Sequence, residues 1–262
     1  MTTPVEDIEF LARSEHRVNA LGALAAGPRR RDDLRAVIGA SNATVGRLLN
    51  EFDKRTWIKC DGFRYELTPL GEFVADGFFG LVERFETEHA MRDVWQWFPT
   101  DLGFTVEMFS GATITPQDEH NPYCPNRRYA QLVEASESLR EVGTIPHKEE
   151  NVRMVLERAV AGMEVELVFP GAVLTHMVSF APDLANEALT SGNLVLLVHD
   201  DLPGGFWIFD EHVGTCCRDD ETGLSRAVID TSTTEAQAYA QSLYDSYRRE
   251  ATPFDATMLV AS

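Results

Sequence analysis

The first 68 residues carry elements in an order that few folds share: two helices, a turn, a third helix and a hairpin. Hydrophobic residues recur at helical spacing over residues 5–26, and a second, shorter helix is predicted over residues 29–38. After a Gly-Ala turn, Ser41 is a favourable N-cap for a third helix that runs to about Arg55. Two short strand-like runs follow, joined by Asp61-Gly62, which is a strong signal for a two-residue hairpin turn.

This order is that of a winged helix-turn-helix, in which the third helix enters the DNA major groove. Pro69 then starts a long helix that runs to about Arg92 and has a broad apolar face rich in Phe. Such a face favours a dimer contact over purely internal packing. We therefore expect a winged-helix domain over residues 1–68, a linker or dimerisation helix over residues 69–93, and a separate domain over residues 94–262.

The segment after Trp95 alternates helix-like and strand-like stretches, which is typical of an α/β layered domain. The predicted helices are 126–142, 148–161, 172–190 and 234–250. The predicted strands are 164–169, 193–199, 205–209, 213–217 and 225–230. The expected fold is thus α/β, with an N-terminal α+β winged helix joined by a long helix to a C-terminal α/β domain.

The charge is distributed very unevenly along the chain. The formal net charge is -19, from 23 basic and 42 acidic side chains. Residues 1–68 hold 11 basic and 10 acidic side chains, whereas residues 69–262 hold 12 basic and 32 acidic ones. The acidic excess therefore lies outside the predicted winged helix and does not argue against DNA binding there. Only three of the basic residues are lysines, a composition that favours a protein from a high-salt cytoplasm over an ordinary acidic protein.

The predicted DNA contacts lie on the third helix, on an arginine triplet before the second helix, and on the hairpin. Asparagine can pair with adenine and arginine with guanine in the major groove, and cations beside the wing can reach phosphates. Two alternatives to DNA contact remain: the arginine triplet is only a solvated surface, or the winged helix binds protein. The predicted residues are Arg29, Arg30, Arg31, Ser41, Asn42, Thr44, Arg47, Asn50, Lys59 and Arg64.

Three motifs resemble known regulators. The stretch S-N-A-T-V-G-R-L-L-N-E-F-D-K-R-T-W-I (41–58), followed by L-T-P-L-G-E, resembles archaeal and bacterial winged-helix transcriptional regulators. The stretch N-P-Y-C-P-N-R-R-Y-A-Q-L (121–132) and the run from Val198 through W-I-F-D-E-H-V-G to A-V-I-D-T (227–231) resemble haloarchaeal regulators. Their effector domain is named after the methanogenic-filament regulator.

The resemblance implies a transcription factor, usually dimeric, whose C-terminal domain senses a signal. Such domains are similar to the phospholipase-D-like domain of archaeal sugar-responsive regulators. The catalytic motif of phospholipase D, H-x-K-x4-D, is absent from the sequence. No G-x-S-x-G elbow and no Walker A loop occur either. We therefore predict no catalytic residue, and a phosphodiesterase-like hydrolase remains an alternative, as does a protein-interaction scaffold.

A small-molecule effector is the expected signal. His199 and Asp200 follow a buried-looking strand, and ligands often bind at the carboxyl ends of such strands. The candidate effector contacts are Tyr123, Arg127, Arg128, His199, Asp200, Trp207 and Asp210.

Two His-x3-Cys units could in principle supply metal ligands, and two cysteines are adjacent at 216 and 217. Both spacings arise easily by chance, so no metal site and no cofactor is predicted. The expected partners are double-stranded DNA, a second copy of the chain and a small-molecule effector. A membrane partner is not expected, and the expected compartment is the cytoplasm.

Overall fold

The computed structural model describes residues 3–118, 121, 123–219 and 221–255. The chain divides into two compact units, Met1–Arg84 and Phe85–Ser262. The division falls inside one long helix. Over the described residues, no helix is long and apolar enough to cross a bilayer.

The first unit is a winged helix, as the order of the sequence signals predicts. Its helices are α1 (Pro4–Ala12), α2 (Glu15–Ala25), α3 (Arg31–Ile38), α4 (Asn42–Asp53) and the first part of α5 (Pro69–Arg92). Its strands are β1 (Arg29–Arg30), β2 (Ile58–Asp61) and β3 (Arg64–Leu67), in the antiparallel order β1-β3-β2. Leu21, Leu34, Val45 and Phe52 are fully buried where the helices meet.

Two local predictions in this unit are wrong. The segment 5–26 forms two helices, because Ser14 adopts an extended conformation (φ −143°, ψ 107°) and begins α2 as its N-cap residue. Arg29 and Arg30 form a strand instead of the start of a helix, because they pair with Tyr65 and Arg64 of β3. The winged helix gains a third strand from this pairing.

The second unit is built on an eight-stranded mixed sheet in the order β11-β7-β6-β5-β8-β9-β10-β4. Strands β5, β6 and β7 are parallel, and the other neighbours pair antiparallel. The strands are β4 (Thr113–Pro116), β5 (Ser138–Val142), β6 (Glu164–Phe169), β7 (Leu194–Val198), β8 (Phe206–Phe209), β9 (His212–Arg218), β10 (Ser225–Thr231) and β11 (Thr252–Pro253).

Helices cover both faces of this sheet. One face packs against α6 (Cys124–Ala135), α7 (Glu149–Val160), α8 (Gly171–Ser179) and α9 (Pro182–Ser191), and the other packs against α10 (Thr234–Glu250). Successive side chains of a strand point to opposite faces of the sheet, so alternate residues pack against the helices on each face. In β8, Trp207 and Phe209 face the α6 side, whereas Phe206 and Ile208 face the α10 side. The predicted α/β class is confirmed.

Three predictions in the second unit need correction. The predicted helix 126–142 ends at Ala135, and its last five residues are β5, which is paired on both sides within the sheet. The segment Ser-Leu-Arg-Glu-Val carries two charged residues, so its sequence lacks the apolar run of a buried strand. The predicted helix 172–190 is interrupted at Ala181, because Pro182 begins a new helix. The set of predicted strands also omits residues 113–116, which form the edge strand β4.

Candidate functional site

Helix α4 has a buried face and an exposed polar face. Its apolar face, which includes Val45 and Leu49, is buried in the core of the first unit. The Ser41 hydroxyl accepts a hydrogen bond from the Thr44 backbone N–H at 3.2 Å and caps the helix. Three of the predicted DNA contacts, Asn42, Arg47 and Asn50, are exposed, so the first turns of the helix present side chains that can reach base edges.

The arginine triplet divides into three different environments. The Arg29 Nε donates to the Ala23 carbonyl at 3.2 Å, which ties it to α2. Arg30 is exposed. The Arg31 guanidinium donates to the Asn42 carbonyl at 2.8 Å, at the first residue of α4. The absence of a Cβ at Gly46 leaves room for this approach. Arg31 thus places a positive charge beside the start of α4.

The wing brings further cations together. In the sheet register, Arg30 of β1 lies opposite Arg64 of β3, so the two side chains stand on the same face. Lys59 lies 2.8 Å from a carboxylate oxygen of Glu66, and the hydrogen bond and charge of Glu66 raise the pKa of Lys59. Phe63, at the tip of the hairpin, is 87% exposed, and the sequence argument did not single it out.

Among the predicted effector contacts, Arg128 has the most buried partner. Its Nε and Nη2 donate to the two carboxylate oxygens of Asp230 at 2.8 and 2.6 Å. Asp230 is only 1% exposed, and His212 Nδ1 lies 3.4 Å from the same carboxylate. This bidentate pair fastens α6 to β10, and it raises the pKa of Arg128 mainly through the hydrogen bond to Asp230.

Asp200 and Asp210 accept hydrogen bonds from backbone amides. Asp200 Oδ1 accepts from the N–H of Gly171, the first residue of α8, at 3.1 Å. The Asp210 carboxylate accepts from the N–H groups of Glu137 and Ser138 at 3.0 and 2.9 Å, immediately before and at the start of β5. Partial burial raises the pKa of Asp210, but these hydrogen bonds outweigh it and leave the pKa below its usual value. Both carboxylates thus hold the ends of structural elements.

His199 and Asp210 lie at opposite ends of the sheet. His199 follows β7, which runs parallel to β5, whereas Asp210 follows β8, which runs antiparallel to β5. His199 Nδ1 accepts from the Asp201 N–H at 3.3 Å, and its ring contacts Tyr247. The seven predicted contacts therefore do not line one pocket, and their role in effector binding stays a prediction.

The remaining three predicted contacts lie on or near the α6 side of the sheet. Arg127 and Tyr123 are exposed, and the Lys148 ammonium lies 3.8 Å from the centre of the Tyr123 ring. Trp207 is 4% exposed, and its indole Nε1 has no hydrogen-bond acceptor among the described residues. Gly214 on the adjacent strand leaves room for this indole, because a Cβ there would lie 2.5 Å from Nε1.

A polar cluster missed by the sequence argument lies in the core of the second unit. Glu141 of β5 is 3% exposed. It accepts a hydrogen bond from the Tyr129 hydroxyl at 2.8 Å and contacts His147 Nε2 at 2.6 Å. The His147 ring stacks on Tyr129 with centroids 4.4 Å apart. Burial and the Glu141 charge raise the pKa of Tyr129 well above its usual value. The wrong helix prediction for 126–142 concealed this cluster, because it assigned Glu141 to a helix and not to a buried strand.

Sequence models of two domains match this chain. Residues 5–90 match the HVO_A0261 N-terminal domain, and residues 122–250 match the middle domain of the methanogenesis regulatory protein FilR1. The two matches together span most of the chain. No curated protein sequence matches it. The candidate DNA contacts lie within the residues that match the HVO_A0261 domain, and the Tyr129–Glu141–His147 cluster lies within those that match the FilR1 middle domain.

Three solved structures are distantly similar to this chain, and each is matched over nearly its whole length. TrmBL2, an archaeal chromatin protein, is 13% identical with a TM-score of 0.42, and the match covers 94% of this chain and 98% of TrmBL2. The phospholipase D family member Nuc from Salmonella typhimurium is 11% identical with a TM-score of 0.43, over 55% of this chain and 97% of Nuc. NucT from Helicobacter pylori is 11% identical with a TM-score of 0.42, over 55% of this chain and 98% of NucT.

The adjacent cysteines and the His212–Cys216 unit, which lie in the segment that matches the FilR1 middle domain, do not form the arrangements that their spacing suggested. Cys216 and Cys217 are consecutive in β9 and face opposite layers of the unit. Burial raises the pKa of both thiols, to about 12 for Cys217. His212 and Cys216 lie four residues apart in the same strand, which separates them by roughly 13 Å. The other His-x3-Cys pair cannot be placed in the same way, because its His120 lies outside the described residues.

Proposed function

We propose that this chain is a transcriptional regulator whose HVO_A0261 N-terminal domain binds operator DNA and whose FilR1 middle domain senses a small effector. The observation that carries the DNA part is the exposed polar face of α4, opposite a buried apolar face, within a winged helix. The charge distribution supports it, because residues 1–68 are close to neutral while the rest of the chain is acidic. The description of FilR1 as a regulatory protein supports the sensing part.

In this proposal, α4 reads base edges and the flanking cations hold phosphates. The Arg47 guanidinium is suited to guanine and the Asn42 amide to adenine. Arg31, Arg30 and Arg64 are suited to the backbone on either side of the helix, since they lie beside its start or on the wing face. Helix α4 then supplies specificity, and the arginines supply affinity.

The experiment is binding of the full chain to genomic DNA fragments, measured by fluorescence anisotropy over a KCl titration. Arg47→Ala should relax site preference and weaken binding to the preferred site by about 10- to 100-fold. Arg64→Ala should weaken all sites equally and reduce the salt dependence by about one counterion. Arg13→Ala, at a 75% exposed side chain on the residue that caps the C-terminus of α1, is the matched control and should change neither. Unchanged affinity and site preference in Arg47→Ala would contradict the proposal.

We further propose that two copies pair through α5. Its residues Leu70, Phe73 and Leu81 are 51, 77 and 39% exposed, and they lie on one side of the helix. Ala75 and Phe78, on another side, pack in the core of the first unit. A second copy covering the exposed row would remove large apolar side chains from water, and a dimer would present two recognition helices to successive turns of DNA.

Sedimentation equilibrium of the full chain tests this pairing. Phe73→Ser and Leu81→Ser should each shift the protein toward monomer, because each removes an apolar contact from the proposed interface. Asp76→Ser, at an exposed polar position of the same helix, is the control and should leave the mass of the complex unchanged. A wild-type chain that sediments as a monomer, or a dimer that survives Phe73→Ser together with Leu81→Ser, contradicts the pairing.

A further inference from the structure

The hairpin of the first unit holds a phenyl ring in water at its tip. Phe63 is 87% exposed, the highest fraction among the large apolar side chains of the described residues. Asp61 pairs with Arg64 across the hairpin, so Gly62 and Phe63 form a two-residue loop. Gly62 has a φ of 60°, as the first loop position of a type II′ turn requires. Single exposed apolar residues are common on protein surfaces, so the surroundings of the ring decide what it contacts.

Three arginines connect the start of α4 to this ring. The Arg31 guanidinium donates to the carbonyl of Asn42, the first residue of α4. Arg30 precedes Arg31 in the chain and lies opposite Arg64, the residue after Phe63. Consecutive Cα atoms are about 3.8 Å apart, and residues paired across antiparallel strands are about 5 Å apart. The Cα atoms of Arg31 and Phe63 therefore lie within roughly 13 Å of each other.

This spacing matches the distance from one DNA groove to the next. With α4 in the major groove, the arginines lie over the sugar–phosphate backbone that borders it. A side chain roughly 13 Å to the side of the start of α4 then reaches the neighbouring minor groove, which is about 6 Å wide. Phenylalanine is one of the apolar side chains that proteins insert between base pairs from that groove.

The charges beside the ring favour a nucleic acid over an apolar protein surface. Arg30 and Arg64 are exposed on the same face of the hairpin sheet, and neither lies within ion-pair distance of a carboxylate among the described residues. Glu66 on this face is already paired with Lys59 at 2.8 Å. Asp61 also lies on this face and offsets part of the positive charge. A ring bordered by two guanidinium groups suits a groove bordered by two phosphate backbones.

We propose that Phe63 inserts between two base pairs from the minor groove beside the bases that α4 contacts, and that it bends the DNA there. This rests on the proposed operator binding and names a further specificity-determining residue for it. The kink turns the DNA toward the major groove, where α4 lies. Pyrimidine–purine steps unstack at the lowest cost, so Phe63 selects a TA or CA step at a position that α4 does not touch.

The test uses the full chain and its preferred genomic fragment, prepared as a short duplex with a donor dye at one end and an acceptor at the other. Binding of wild type should raise the energy transfer between the dyes. Phe63→Ala should abolish that rise and weaken binding by about 10-fold. The slope of affinity against KCl should stay unchanged in this variant, because a phenyl ring releases no counterion. Phe63→Leu keeps an apolar wedge and should keep the bend.

A matched control and a DNA variant complete the test. Val5→Ala truncates a 72% exposed apolar side chain on α1 and should change neither affinity nor bend. Changing the flanking TA or CA step to AA should weaken binding of wild type by about 3- to 10-fold and leave binding of Phe63→Ala unchanged.

Three results would each overturn the wedge: a bend that survives Phe63→Ala, a smaller salt slope in that variant, or a change in its sedimenting mass without DNA. The last would place the ring in a protein contact. A wild-type chain that binds DNA without bending it fails the wedge alone and retains the operator proposal. A chain that binds no DNA fails both.

Discussion

The pair of Arg128 and Asp230 should be the most costly ion pair to break in the second unit. It joins α6 to β10 through two charge-assisted hydrogen bonds of 2.8 and 2.6 Å, and Asp230 is 1% exposed. Removing one partner of a buried pair costs about 3–5 kcal/mol, because the other charge stays buried without compensation. The side chain of Arg128 is 24% exposed, which favours the lower end. Arg128→Met should therefore cost about 3 kcal/mol and lower the melting temperature by about 6–12 °C.

An exposed pair of nearly the same geometry provides the control. Arg92 donates to Glu88 at 2.9 and 2.6 Å, but the two side chains are 59 and 49% exposed. Water and salt screen this pair, so Arg92→Met should change the melting temperature little, and less at high salt. The assay is differential scanning calorimetry of both variants at low and high KCl. The effect of Arg128→Met should persist at high KCl, because a buried pair is screened much less.

A double variant separates the buried charge from the lost packing. In Arg128→Met with Asp230→Leu, no charge is left uncompensated, so stability should recover toward wild type despite the loss of both hydrogen bonds. The reasoning is refuted if Arg128→Met lowers the melting temperature no more than Arg92→Met does. It is also refuted if the double variant is less stable than Arg128→Met alone.

Three further outcomes follow from single positions. At pH 9 a thiol reagent should label exposed Cys60 quickly and Cys217 only on unfolding, because burial raises the pKa of Cys217 to about 12; rapid native labelling of Cys217 would contradict this. Gly214→Ala should destabilise by about 1–3 kcal/mol in urea unfolding, since its Cβ would meet the neighbouring indole, whereas Gly80→Ala, with open space around it, should stabilise. Asp210→Asn should be less stable than wild type at neutral pH. This difference in stability should disappear in acid unfolding curves as pH falls through the lowered pKa of Asp210. A difference that persists at low pH would refute the role of the carboxylate.

Elements marked by local chemistry are predicted well from the sequence. Helix α4 begins where Ser41 caps it, and α10 spans the predicted Thr234–Glu250 because Thr233 caps it and the polar and apolar residues alternate at helical spacing. The hairpin follows from Asp61-Gly62, where Gly62 has a φ of 60° that few other residues adopt readily. Each of these signals is contained in a few consecutive residues.

The site in the second unit depends on contacts that no local signal reveals. Tyr129, Glu141 and His147 come from a helix, a strand and a loop, and only the packing of α6 on β5 brings them together. Arg128 was chosen from the sequence, but its partner Asp230 lies 102 residues away. A strand such as β5, with an arginine and a glutamate among five residues, lacks the apolar signature of a sheet interior. Its position is fixed by neighbours on both sides instead.

The division of charge between the two parts of the chain bears on how the proposed operator binding would work in concentrated salt. At 1 M salt the screening length is about 3 Å, so the acidic excess beyond residue 68 repels DNA weakly and the arginines of the wing attract it weakly. Hydrogen bonds from Arg47 and Asn42 to base edges act at contact distance and are screened far less. The loss of affinity in Arg64→Ala should therefore shrink between 0.1 and about 2 M KCl, while that in Arg47→Ala should remain. If the loss of affinity shrinks equally in both variants, Arg47 contacts a phosphate and does not contact a base edge.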